Sequence, residues 1–279
     1  MIYQIKPVIG KQAKRNIVKY IKSDNWITEY KNTSLFENKF AKFTNSKHCI
    51  AFPNGTLTMY AILKCLNLDK NSEVLVSNYT MIATANVVKM AGLKLKLVDI
   101  TEKDLCMCPK DLLRKITKKT RAVIYTQMNG RIGQINQISK ICKEKKIYLI
   151  EDSAHGIGSF NNKKHIGNAG IASSFSFSMP KLITMGQGGA IITNNKNLAK
   201  KLRLFKNFGR KKDGVDIHNH IGYNFKITDL QSILAYSQLL DIKKRIKIKK
   251  KIFNRYLNKL KDNKKIKMIP MKTFETPWS

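Results

Sequence analysis

Acidic residues are scarce in this 279-residue chain: eighteen Asp and Glu stand against fifty-three Lys and Arg, leaving a formal net charge of +35. Arginine is scarce as well, with eight against forty-five lysines. A cation surplus ordinarily points to nucleic acid or an anionic membrane surface. Dedicated nucleic-acid readers, however, use arginine and aromatics to contact phosphates and bases. Here lysine is spread along the whole chain beside abundant Asn and Ile, the composition of an AT-rich coding sequence. Even the densest run, Lys243 to Lys251, alternates Ile with Lys and reads as the solvated face of a helix. A basic nucleic-acid-binding protein is therefore the last of the functional readings, although anionic substrates would still be attracted.

Long apolar runs are missing too. No stretch approaches 18 apolar residues, so no membrane span is expected. The N-terminus lacks the basic start, apolar centre and small-residue cleavage site of a signal peptide. The five cysteines are odd in number and contain no C-x-x-C pair, which reads as reduced thiols in a cytoplasmic protein. Cys106-Met107-Cys108 is too tight for a zinc knuckle, and His218-Asn219-His220 has no carboxylate or thiolate nearby, so no metal is expected. Repeats and flexible linkers are absent. The length allows one large domain and part of another.

What is present is alternation. Ser34-Leu35-Phe36-Glu37 reads as a capping box opening an amphipathic helix through Phe43. Strands are expected at 48–52, 73–76, 94–98, 122–126 and 147–150, with helices at 56–66, 82–90, from Pro109, and at 135–144. Such alternation means α/β with a mainly parallel sheet, and ligands gather at the carboxyl ends of its strands. Segments 171–178 and 190–193 break the alternation as neighbouring strands, so the sheet is expected to be mixed. From Asp229 onward the pattern turns helical, and the chain ends at Thr276-Pro277-Trp278-Ser279 with an incomplete helical hairpin and no closing element.

Chemistry concentrates around Lys181. The strand 174–178 delivers it through Met179-Pro180 into a turn followed by Gly186-Gln187-Gly188-Gly189, and the earlier strand 147–150 ends in Glu151-Asp152. A strand-end carboxylate and a later lysine suit pyridoxal 5'-phosphate (PLP): the lysine carries the aldehyde as a Schiff base, and the carboxylate keeps the pyridine nitrogen protonated. Asn54-Gly55-Thr56, between a strand and a helix, offers backbone amides and a hydroxyl to a phosphate. Ser176 lies within reach of the same phosphate.

These segments, with Asn25 to Thr28, Thr80 to Asn86, Glu151 to His155 and Gly222 to Lys226, resemble the DegT/DnrJ/EryC1/StrS family of sugar-nucleotide aminotransferases over nearly the whole chain. The resemblance implies the type I aminotransferase fold, a mainly parallel mixed sheet flanked by helices. It implies that Lys181 forms the aldimine with PLP and moves the proton, and that Asp152 pairs with the pyridinium nitrogen. His155 would meet the phenolic oxygen, and Gly55, Thr56 and Ser176 would hold the phosphate. Met81 stands where the family usually places an aromatic over the cofactor ring. Asn224 would reach the phosphate of a neighbouring subunit, which implies a homodimer. The lysine at 181 favours transamination over the dehydration run by relatives with histidine there. The implied reaction moves an amino group, from glutamate, to the keto group of a nucleotide-linked deoxysugar, in surface polysaccharide or glycoconjugate synthesis.

Three further departures accompany the match. Gln127 replaces a frequent histidine, Lys226 a frequent arginine, and Pro180 biases Met179 toward extended geometry. Trp26, Asn129 and Arg131 are candidates for sugar selection. Family members continue further, so the resemblance implies truncation: a PLP-binding large domain over 1–240 and the start of a small domain over 241–279. That motivates an alternative, a catalytically silent PLP-binding remnant or regulator of the same fold.

Overall fold

The computed structural model describes residues 8–162, 164–211, 214–218 and 220–278. Asn219 of the His218–His220 motif and the terminal Ser279 lie outside the described residues.

Two helices, α1 (Lys11–Ile21) and α2 (Lys31–Thr44), lead into β1 (His48–Phe52) and α3 (Gly55–Cys65). There follow β2 (Glu73–Ser77), α4 (Ile82–Met90), β3 (Lys94–Val98), α5 (Pro109–Lys115) and β4 (Thr120–Thr126). Next come α6 (Ile135–Glu144), β5 (Tyr148–Asp152) and a short hairpin of β6 (Phe160–Asn161) and β7 (Lys164–His165). The chain then forms β8 (Ala172–Ser176), β9 (Gly189–Thr193) and α7 (Lys196–Lys206), and closes with α8 (Asp229–Leu240) and α9 (Ile242–Leu260).

Seven strands form one sheet in the order β1-β9-β8-β5-β4-β2-β3. Pairing is parallel from β8 across to β3, and β9 runs antiparallel between β1 and β8. The mixed, mainly parallel α/β sheet expected from the sequence is thus observed. Strands β1, β2, β4 and β9 are covered on both faces, which is why they are largely apolar runs, whereas the edge strand β3 alternates Lys with Leu and is partly exposed. Within β1, Ile50 and Phe52 point into a core shared with α3 and α7, while Cys49 and Ala51 face α2 and α8. A third core packs Leu75, Val123, Tyr125 and Leu149 against α5 and α6. Edge-to-face contacts of Phe40 with Phe175 (5.1 Å) and Phe177 (5.3 Å) lock α2 onto the sheet. Such pairs add roughly 0.5–1.5 kcal/mol each beyond the area they bury.

The capping-box expectation at Ser34 is corrected. Helix α2 begins a turn earlier, at Lys31, and its N-cap, Tyr30, makes no side-chain cap. The remote Asp229 carboxylate accepts from the amides of Tyr30, Asn32 and Thr33, supplying what a local cap would have done. Glu37 is instead buried, accepting from Ala51 N at 2.8 Å and pairing with Arg203 at 2.9 Å. The strand expected to reach Ser178 stops at Ser176, because Phe177 turns to bond Gly188 and Met185. Helix α7 and the β6–β7 hairpin were not anticipated.

After α9 the chain turns back onto β6 and the loops that follow β4 and β5: Phe160 N donates to Phe274 O at 2.9 Å, Thr276 N to Ser159 Oγ at 2.8 Å, and Ile132 N to Glu275 Oε1 at 2.9 Å. All five cysteines are free. Among the described residues no helix is long and apolar enough to cross a membrane.

Candidate active site

Strands β5 and β8 are adjacent and parallel: Asp152, the last residue of β5, pairs in register with Ser174, and β8 runs two residues further to Ser176. Their carboxyl ends open into a cavity of about 550 Å³. It gathers Gly55, Thr56, Met81, Asp152, His155, Ser176 and Lys181, so seven of the eight site residues expected from the sequence meet in one place. Asn224 is exposed, outside that cavity, on the loop that bridges back to Asn207.

The cradle at the start of α3 follows from local chemistry. Asn54 caps the helix by accepting from Leu57 N at 2.9 Å, and its carbonyl takes Thr58 N at 3.3 Å. The amides of Gly55 and Thr56 have no intrahelical acceptor and are left for an anion. Two glycines are needed for the approach of neighbouring chains. A Cβ on Gly55 would stand 3.0 Å from Ser176 Cβ, and one on Gly189 would meet the Asn54 carbonyl at 2.6 Å. Beneath the cradle, Thr58 and Ser174 share a buried 2.5 Å hydroxyl contact, and Ser174 Oγ reaches Gly55 O at 3.2 Å.

Asp152 is buried, accepting from Thr84 Oγ1 at 2.7 Å and from Ala154 N at 3.1 Å. Burial pushes its pKa up, against the opposing pull of Thr84, Ala154 and Lys181. Burial likewise brings Lys181 down to about 8, an effect that Asp152 offsets in part. His155 falls to about 3 through burial and the nearby Lys181 charge, so its imidazole is neutral. Its Nδ1 accepts from Asn129 N at 3.3 Å. The lysine therefore keeps a usable neutral amine near physiological pH, the requirement for attacking an aldehyde.

The departures resolve differently. Met81, 66% exposed, borders the cavity at the N-terminus of α4. Gln127 turns into the interior, donating to Glu151 Oε2 at 2.6 Å. Glu151 is itself buried and accepts from the amides of Gly167, Ala169 and Gly170, so it holds that loop while Asp152 faces the cavity. Of the three candidates for sugar selection, Asn129 lines the cavity, Arg131 holds Ile269 O at 2.7 Å, and Trp26 is 70% exposed. Among the lining residues that escaped the sequence reading are Thr84, Tyr79 and Trp278. Thr84 lay within the matched segment Thr80–Asn86, whereas nothing local marked Trp278.

A doubly covered α/β sheet with a lysine and a carboxylate at adjoining strand ends, beside a phosphate-sized amide cradle, defines an aminotransferase of the PLP-dependent class. Residues 7–277 match the DegT/DnrJ/EryC1/StrS aminotransferase family, and the chain belongs to it. Its members use PLP, and the glycine cradle, the buried carboxylate and the free lysine here fit that cofactor. The GDP-perosamine synthase of Vibrio cholerae is 31% identical over 91% of this chain and 70% of its own length. Helicobacter pylori PseC, an aminotransferase involved in the biosynthesis of pseudoaminic acid, superposes with a TM-score of 0.90 at 26% identity. That match covers 94% of this chain and 71% of PseC. The aminotransferase TlmJ from Streptoalloteichus hindustanus shares the fold, with a TM-score of 0.94 at 20% identity over 99% of this chain and 76% of its own.

Proposed function

We propose that this chain transfers an amino group, from glutamate, to the keto group of a nucleotide-linked deoxysugar, with Lys181 as the reacting amine. The observation that carries the reading is the meeting of Lys181 and Asp152 in one cavity with the Gly55–Thr56 cradle. Relatives named for a GDP-linked amino sugar make a GDP-linked keto-deoxysugar the first acceptor to test.

When bound, PLP supplies an aldehyde that condenses with amines and a ring that accepts electrons. The chain's own groups do the rest. Gly55, Thr56 and Ser176 take the phosphate. Asp152, steadied by Thr84, takes the ring N–H. The neutral His155 ring would meet the phenolic oxygen, and Met81 would cover the ring face. Lys181 would hold the cofactor's aldehyde and, as a free amine, would take up and release a proton at Nζ. Its lowered pKa supports that duty, since a general base works best near the working pH.

The reading extends to a homodimer working in the cytoplasm, with Asn224 reaching the phosphate across the interface. Its exposure, and that of Ile217 and Ile221 shortly before it in sequence at 63% and 85%, supports this. It also extends to a large PLP-binding unit over 1–240 and a second, smaller unit over 241–279.

The test is direct. Purified protein is incubated with PLP, reduced with borohydride, and digested for mass spectrometry. Label on Lys181 that is lost in Lys181→Ala, together with glutamate-driven conversion of the cofactor spectrum, is the expected result. Label without conversion by any amino donor would replace this reading with that of a silent PLP binder.

A further inference from the structure

Lys181 Nζ makes no hydrogen bond or ion pair with a described residue. What it meets is an aromatic face: the ring centroid of Trp278 lies 5.1 Å away, inside cation–π range. The other occupant of that ring is His155, stacked at 4.3 Å with an interplanar angle of 17°. Trp278 borders both the main cavity and a neighbouring one of about 240 Å³, so its indole is the wall between them.

The placement is built. Arg131 holds Ile269 O at 2.7 Å, Glu275 Oε2 accepts from Lys272 N at 2.9 Å, and Glu275 Oε1 from Ile132 N at 2.9 Å. Thr276 donates to Ser159 Oγ through its amide at 2.8 Å and to Gly158 O through its hydroxyl at 2.5 Å. Gly130, at φ +85°, leaves room for this: a Cβ there would lie 1.9 Å from Thr276 O. A segment tied at so many points delivers its indole to one place.

We propose that Trp278 is a positioning residue for Lys181: its ring face receives the lysine ammonium whenever that amine is not attached to the cofactor, and holds it at the edge of the reaction cavity. Resting on the aminotransferase reading, this gives the amine a defined station during the part of the cycle in which substrate has displaced it. A flexible four-carbon side chain with no other partner would otherwise sample many rotamers. The π face favours the charged form, opposing the burial that favours the neutral one. The titratable groups facing the same space are Asp152 at the end of β5, His155 just after it, and Tyr79 before α4.

The experiment needs no cofactor. Trace acetylation of the full chain by acetic anhydride across a pH series, read by peptide mass spectrometry, gives the titration midpoint of Lys181. Wild type, Trp278→Phe and Trp278→Leu are compared. The expected result is a midpoint in the leucine variant about half a pH unit below wild type, with the phenylalanine variant restoring most of the difference. Equal midpoints in all three would overturn the proposal, as would a phenylalanine variant shifted as far as leucine. Thermal melts are run alongside: loss of stability in both variants with unmoved midpoints makes Trp278 a packing residue only, and also overturns it. The PLP labelling described above tests the aminotransferase reading separately, because the acetylation midpoint is measured without PLP.

Discussion

Asp229 caps a helix that begins about two hundred residues earlier in the chain: its Oδ1 accepts from Thr33 N at 2.7 Å and from Thr33 Oγ1 at 2.8 Å. Its Oδ2 accepts from the backbone and side chain of Asn32, at 3.0 and 2.8 Å, and from Tyr20 Oη at 3.0 Å. One carboxylate thereby ties α1, α2 and α8 together. Burial pushes its pKa up, but the hydrogen bonds from Asn32 and Thr33 outweigh that, and the net shift is downward. Asp229→Ala leaves buried amides without acceptors and is expected to cost about 3 kcal/mol, seen as a lower urea midpoint. A carboxyl depressed in the fold stabilises above its unfolded pKa and loses that contribution as pH falls through the folded value. The wild-type advantage over Asp229→Asn should therefore shrink on acidification below the ordinary carboxylate range. An advantage unchanged at low pH would show that charge plays no part.

Asp152 and Lys181 are coupled through the cavity, and the sign of the coupling is testable. The carboxylate raises the lysine against the lowering effect of burial. Asp152→Asn removes that support, so the Lys181 acetylation midpoint is expected to fall below that of the wild-type protein. The same variant should lose on the order of a hundredfold in the glutamate half-reaction, since the ring N–H loses its anionic partner. A rise in midpoint would place some other group in control of the lysine.

The cradle makes a steric prediction. A methyl on Gly189 would sit 2.6 Å from both carbonyl atoms of Asn54. Backbone cannot yield as a flexible side-chain end does, so Gly189→Ala should displace the amides of Gly55 and Thr56. PLP affinity is expected to fall at least about tenfold, roughly 1.4 kcal/mol, by equilibrium dialysis. Gly10→Ala, with nothing within 4 Å, is the control and should bind as wild type does. Equal affinity in the two variants would remove the cradle from phosphate binding.

Much of this was legible beforehand, for identifiable reasons. Strands β1, β2, β4 and β9 are buried on both faces, so each is a short apolar run between turns, and α4, β3 and α6 have the bounds read from periodicity. The residues brought together at the cavity sit at strand ends and helix starts, where composition changes abruptly. What was missed depends on distance or on lysine. The α2 cap comes from the far end of the chain, so a local motif at Ser34 was read in its place. Helix α7 buries Leu198, Leu202 and Phe205 at helical spacing, but lysines between them hid the stripe. Gln127 gave no sign of facing Glu151, because the choice between interior and cavity is made by the loop at 167–170. Trp278 arrives on a segment with no regular structure, fixed by hydrogen bonds that no periodicity encodes.

That segment supplies the last prediction. Glu275 is 4% exposed and accepts from two amides, Ile132 N and Lys272 N, both at 2.9 Å. Ile132 lies just past the loop that carries Asn129, so the carboxylate ties the returning chain to the wall of the cavity. Glu275→Ala leaves Ile132 N buried without an acceptor, a cost of about 1–3 kcal/mol. Because the tie is local, the loss should appear as local opening rather than global unfolding. Hydrogen exchange is expected to quicken at the amides of Ile132 and Thr276 while Ile150, central in the sheet, keeps its wild-type protection. Trp278 fluorescence, isolated in a Trp26→Phe background, should shift toward that of a solvated indole. Uniformly faster exchange that includes Ile150 would instead make Glu275 part of the global core, and the segment would then be no separate device for placing the indole.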